Sequence, residues 1–307
     1  MLAVGSKSEK INSFEFFKPH SIKAKLVKYL AINFPIFNIT YKKKSLFINY
    51  LENKLNAKFI SSIYFSSCKQ KVVIQLQKNE IIFAYVKYAL NEKGNQKIKN
   101  EQIALESLSS EAIPKLIDKG SFNGFRFIVT KNIFSDDNYK NIKCLNLNFL
   151  LKKFKRRDAS SFLLRDHPRI INIKNNLKKY YLPKYEFYFN KIISADKKKY
   201  KVIAEHGDFT PWNIINNYYL VDFEEYTKDG LDGMDICHYF FVEQLYIKKM
   251  SVKDIVDKTL ASNTNNYKNI FFIYLLKTLI MRMYYNFETS DYDRAIKIFI
   301  KKLYHEA

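Results

Sequence analysis

The sequence predicts an α+β fold in two parts, a small antiparallel sheet with one helix followed by a larger, mainly helical half. In KVVIQLQKNEIIFAYVKYAL, residues 71–90, two apolar runs flank the polar turn QKNE, the pattern of a β-hairpin. Residues 146–193 and 236–307 are rich in Leu, Ile, Phe and Tyr at three- and four-residue spacings, the helical period. With 307 residues, 47% of them hydrophobic and including 26 Phe and 23 Tyr, the chain can bury one large or two medium cores. The expected divisions are a helical N-terminal extension over 1–55, the sheet over 56–133 and the helical half over 134–307.

In the extension, SIKAKLVKYLAINFPIF is basic, with Ile22, Leu26 and Leu30 four residues apart, so it reads as a helix lying on the protein body or on an anionic membrane surface. Lys25 and Lys28 interrupt its apolar run and no small-residue cleavage site follows, so it is not a secretory signal. After the hairpin, KIKNEQIALESL places Ile98, Ile103, Ala104 and Leu108 at roughly the helical period. GFRFIVTKNI then reads as the last strand of the sheet. Later, YYLVDFEEY has the β-branched and aromatic content of a short strand ending at Asp222. NIFFIYLLKTLIMRMYY carries Lys277 and Arg282 within a helix length, which suits a core helix better than a membrane span. Prolines are few, and neither a repeat nor a long flexible linker is present.

The chemistry is concentrated in HGDFTPWN, His206 to Asn213, and in the LVDFEEY that follows it. Transfer of a γ-phosphoryl group needs a carboxylate to orient the attacking hydroxyl and Mg²⁺ ligands to neutralise the phosphate oxygens. Asp208, Asn213 and Asp222 are that set, two from one loop and one from a strand end. Such a reaction also requires a strand Lys to grip the α- and β-phosphates and a helix Glu to hold that Lys. Lys87 follows Ala84, Tyr85 and Val86 on the second hairpin strand, and Glu101 lies fourteen residues on, in the helix. Glu106 is the competing partner. The phosphate-covering loop falls near SIYFSSCKQKVV, which has no glycine over 62–73; Ser66 and Ser67 are its small residues.

HGDFTPWN together with VDFEEYTKDGLDGMDICHYF resembles the aminoglycoside phosphotransferase and choline kinase superfamily, whose members share the two-lobed protein-kinase-like fold. The resemblance implies that Asp208 is the catalytic base and that Asn213 and Asp222 hold Mg²⁺. It also implies that His206 and Gly207 shape the catalytic loop and that Asp235 braces it. ATP would be the phosphoryl donor, with residues near Val129 to Lys131 lining the adenine side. Glu224 matches an acidic position of the choline-kinase-like branch; with Glu225 it is either an acceptor-side acid or part of a solvated loop. Similar bacterial proteins accompany envelope-polysaccharide synthesis, which implies a sugar hydroxyl in a lipopolysaccharide or capsule precursor as acceptor. Two rivals stand beside it. One is a choline- or ethanolamine-type kinase, its acceptor pocket drawn from Tyr226, Glu225, Asp229 and Tyr239; the other is a noncatalytic scaffold that keeps the fold.

The formal charge of +22 does not by itself indicate nucleic acid: 45 of the 52 basic residues are Lys, and only seven are the Arg that base readout and phosphate clamping favour. The positive field suits an anionic acceptor, such as a lipid-linked glycan, or an inner membrane leaflet, and suits a polycationic aminoglycoside poorly. Cys68, Cys144 and Cys237 are far apart, which points to reduced thiols in a cytoplasmic setting. His206 and His238 lack zinc-pair spacing, so His206 is expected to brace the loop rather than bind a metal.

Overall fold

The computed structural model describes residues 7–13, 29, 45–65, 69–108, 111–133, 146–152, 160–261 and 265–304, and the chain divides into two units, Met1–Ile142 and Lys143–Ala307. Ser66, Ser67, Cys68, Cys144 and nearly all of the basic segment 21–37 lie outside the described residues.

In the first unit, β1 (Ile60–Phe65), β2 (Lys71–Lys78), β3 (Ile81–Ala89), β4 (Leu116–Phe122) and β5 (Phe125–Lys131) form an antiparallel sheet in the order β1-β2-β3-β5-β4. The expected hairpin is β2-β3. Its two turn residues, Asn79 and Glu80, both have positive φ (50° and 62°), as a tight turn matched to strand twist requires. Side chains alternate across the sheet. Val72, Ile74 and Leu76 of β2 share one core with Phe47, Ile48 and Leu51 of helix α2 (Leu46–Lys54). The last nine or so residues of the segment read as an extension therefore belong to the core of the sheet. Helix α2 starts where the Ser45 hydroxyl accepts the Ile48 amide, a side-chain cap for an otherwise orphaned donor.

The opposite face takes helix α3 (Glu92–Ser107), with Ile98 packed against Ala89 and Ile128. Asn91 caps α3 by accepting from Gly94 N at 2.9 Å. At Gly94 a Cβ would come within 2.0 Å of the Gln70 carbonyl oxygen, so only glycine lets the first turn of α3 sit so close to the chain entering β2. The same face carries Gln75 and Gln77, buried polar residues that a simple apolar run would not contain. Helix α1 (Lys7–Ser13) takes up their amide groups: Gln75 Nε2 donates to Asn12 O (3.0 Å) and Gln77 Nε2 to Ser13 Oγ (3.3 Å), which Ser62 Oγ also meets at 2.9 Å, while Asn12 Nδ2 donates to Glu80 O (2.6 Å).

The second unit opens with α4 (Leu147–Lys152) and a short strand β6 (Ser161–Leu163), followed by α5 (Pro168–Lys179) and α6 (Pro183–Ala195). The region read as helical throughout thus contains a strand. It forms because Phe162 pairs with Tyr200 of β7 (Lys199–Glu205), a partner distant in sequence. β7 also pairs with β10 (Thr227–Leu231), and β8 (Ile214–Ile215) with β9 (Tyr219–Leu220) form a small hairpin. The remaining α-helices among the described residues are α7 (Met234–Val242), α8 (Val252–Ala261), α9 (Asn265–Tyr285) and α10 (Ser290–Tyr304). In α9 every residue from Ile270 to Leu276 is buried, so this stretch is apolar all round because it runs through the core. Phe271, Phe272 and Tyr274 meet Phe241 and Phe299 there. No described helix is long and apolar enough to cross a membrane.

Candidate active site

The HGD loop leaves the end of β7 and is held by its backbone. Asp235, in the first turn of α7, accepts His206 N on Oδ2 (2.8 Å) and Gly207 N on Oδ1 (3.0 Å). Gly207 has φ +84°, and a Cβ there would lie 2.1 Å from the Glu225 carbonyl oxygen. The glycine of the motif is therefore what lets the loop touch the DFEEY segment. His206 ties the same two segments together. Its Nδ1 accepts from Asp208 N (3.3 Å) and its Nε2 donates to Val221 O (3.1 Å), which fixes the neutral tautomer. Burial, with the ring against Phe223, drives its pKa down to about 4, so it is a brace and stays uncharged.

The loop presents Asp208 with a ligand on each oxygen. Asn213 Nδ2 donates to Oδ2 (3.0 Å) and to the Asp208 carbonyl (2.8 Å), and His238 Nε2 lies 3.0 Å from Oδ1. The side chain is 35% exposed, so it stays open to a solute. Burial alone would raise this carboxyl, but the hydrogen bond from His238 and its proximity outweigh it, and the pKa is lowered. Asp222 follows β9 by two residues in a left-handed conformation, φ +70°, and is half-buried. Aspartate is among the residues that tolerate the left-handed region best. Of the two acids after it, Glu224 is buried and Glu225 half-buried, so the solvated-loop alternative fails for Glu224. Tyr226 and Tyr239 are both buried and Tyr239 packs on Phe209, so neither offers the open face that a quaternary ammonium needs.

Beneath the loop is an ionic cluster. Arg169 holds Glu205 with two hydrogen bonds (Nη2–Oε1 2.7 Å, Nε–Oε2 3.1 Å). Lys277 Nζ lies 3.6 Å from Glu205 Oε1 and donates to Gly207 O at 2.9 Å. Burial would raise Glu205, but the charges of Arg169 and Lys277 more than offset it and keep the carboxyl below its ordinary value. Burial first, then the Glu205 charge, push Asp235 the other way. Arg169, Glu205, Lys277 and His238 escaped the motif reading. A lysine inside an apolar helix was visible, and a buried charge must be paired, but its partner seventy residues away was not.

In the first unit, Lys87 on β3 reaches Glu101 on α3, with Nζ 2.9 and 2.7 Å from the two carboxylate oxygens. The competing Glu106 instead pairs with Lys119. Val129 and Lys131 lie on β5. The Lys131 amide donates to Lys115 O (2.9 Å) and the Asn132 amide to Phe83 O (3.1 Å), so both donors are engaged within the sheet. Neither a scan against models of protein families nor a search of curated proteins finds a match to this chain.

Proposed function

We propose that the protein is an ATP- and Mg²⁺-dependent phosphotransferase with a hydroxyl acceptor, on a protein-kinase-like fold of the aminoglycoside phosphotransferase and choline kinase type. The observation that carries the reading is the pairing of Asp208 with Asn213. The amide nitrogen of Asn213 is spent on Asp208, so its oxygen is the atom left for another partner, while the carboxylate stays partly open. The Asn213 amide oxygen and the Asp222 carboxylate would be the hard oxygen donors for Mg²⁺, which would neutralise charge on the phosphate oxygens.

In this reading the acceptor alcohol gives its proton to Asp208 as its oxygen bonds to the γ-phosphorus. The bond from that phosphorus to the bridging oxygen breaks, and the electron pair leaves with ADP. Lys87, held by Glu101, meets the α- and β-phosphates. The acceptor we favour is a sugar hydroxyl of an anionic, lipid-linked envelope-glycan precursor, on the motif resemblance and on the +22 charge of the chain.

The test is ATP consumption by the purified protein with Mg²⁺, alone and with an extract of envelope-glycan precursors. Asp208→Asn should lower turnover about a hundredfold or more while MgATP still raises the melting temperature. Asp222→Ala should lose that thermal shift. Wild-type turnover in Asp208→Asn would remove Asp208 from the mechanism.

A further inference from the structure

We propose that His238 is a positioning residue for Asp208, donating its Nε2–H to Oδ1 and fixing the plane of the carboxylate against the acceptor hydroxyl. This rests on the phosphotransferase reading and adds a residue to it. Helix α7 delivers two groups to the loop from one face: Asp235 to the backbone of His206 and Gly207, and His238, three residues on, to the Asp208 side chain.

The proton position follows from the surroundings. His238 is buried, its ring edge rests on Tyr274 at 5.4 Å, and its Nδ1 has no hydrogen-bond partner among the described residues. A proton on Nδ1 would be a buried donor without an acceptor, and it would leave the Nε2 lone pair facing a carboxylate oxygen at 3.0 Å. On Nε2 the same proton makes a hydrogen bond to a charged acceptor, sheltered from water. Asn213 holds Oδ2 in the same way. Asp208 is thus clamped at both oxygens, each of which keeps a lone pair for the acceptor proton. A histidine kept only to fill space would serve as well without its nitrogen.

Two variants separate these roles. His238→Phe keeps the ring and removes the donor; His238→Gln keeps an N–H of similar reach. With ATP consumption measured using water as acceptor, His238→Phe should lower kcat about ten- to a hundredfold, the range a hydrogen bond to a charged group commands. KM for ATP should stay within about twofold, and His238→Gln should recover most of the loss. In parallel, ¹⁵N-imidazole spectra of the wild-type protein should show His238 as the Nε2–H tautomer, with a resonance that shifts in Asp208→Asn. Equal kcat in His238→Phe and wild type, equal losses in the Phe and Gln variants, or an Nδ1–H tautomer would each overturn the inference while leaving the phosphotransferase reading in place. A wild-type protein that neither binds nor consumes MgATP overturns both. The imidazole spectrum needs only the folded wild-type chain, so it decides the contact even if His238→Phe does not fold.

Discussion

Lys87 and Lys277 both rise from apolar elements to end against a glutamate, yet they are set to do different things. Lys277 is deeply placed, 11% exposed, and its ammonium is divided between Glu205, already gripped by Arg169, and the Gly207 carbonyl. It holds backbone. Lys87 is 18% exposed and meets Glu101 through both carboxylate oxygens at the side of an open sheet. It holds a side chain rather than backbone. A salt bridge therefore reveals little until one asks what else its charges hold, and burial is the first guide.

Lys277→Met is the sharpest way to break this comparison. It strips the Gly207 carbonyl of its donor and leaves the buried cluster short of one cation, so unfolding in urea should show a loss of about 3–5 kcal/mol. A loss under about 1 kcal/mol would mean that the cluster is not structural.

Acid should strike the same region. His206 has a folded pKa of about 4 against an ordinary value of about 6.5, so between those values the unfolded chain takes up a proton that the folded chain refuses. Its stabilisation is complete above pH 6.5 and fades as pH falls toward 4. Because Asp235, raised in the fold, titrates with the opposite sign over an overlapping range, the clean measurement is a difference. Relative to His206→Gln, the wild type should lose about 3 kcal/mol of unfolding free energy from pH 6.5 to 4. A flat difference would show that His206 is protonated inside the fold.

Lys87→Met should cost less stability than Lys277→Met, about 1–2 kcal/mol, and should raise the ATP concentration needed for half-maximal turnover. An unchanged ATP dependence would detach the first unit from nucleotide binding. Deleting residues 1–20 is the mildest intervention. It uncovers Gln75 and Ser62, which water can then satisfy, so we expect a loss of about 1 kcal/mol with phosphoryl transfer retained.

What could be read from the sequence follows the same division. The hairpin, the order of strand Lys and helix Glu, and the HGD loop were legible because each is local: a turn of polar residues, a helical period, six or eight contiguous letters. The strands Ser161–Leu163 and Thr227–Leu231 were not, since both exist only by pairing with β7. Gln75 and Gln77 are buried in a strand otherwise read as apolar because α1, distant in sequence, covers them. His238 lies three residues past a recognised aspartate, but nothing in its letters tells that a carboxylate thirty residues earlier would stop at its ring.

The tight seat at Gly94 limits how the first unit can rearrange. With no room for even a methyl group between α3 and the Gln70 carbonyl, the near end of the helix is pinned and cannot slide along the sheet. Glu101 stands seven residues further on, about 10 Å along the axis. A rigid-body movement of α3 that parts Glu101 from Lys87 would therefore swing about that near end, so a small rotation at Gly94 would become a larger displacement of the carboxylate.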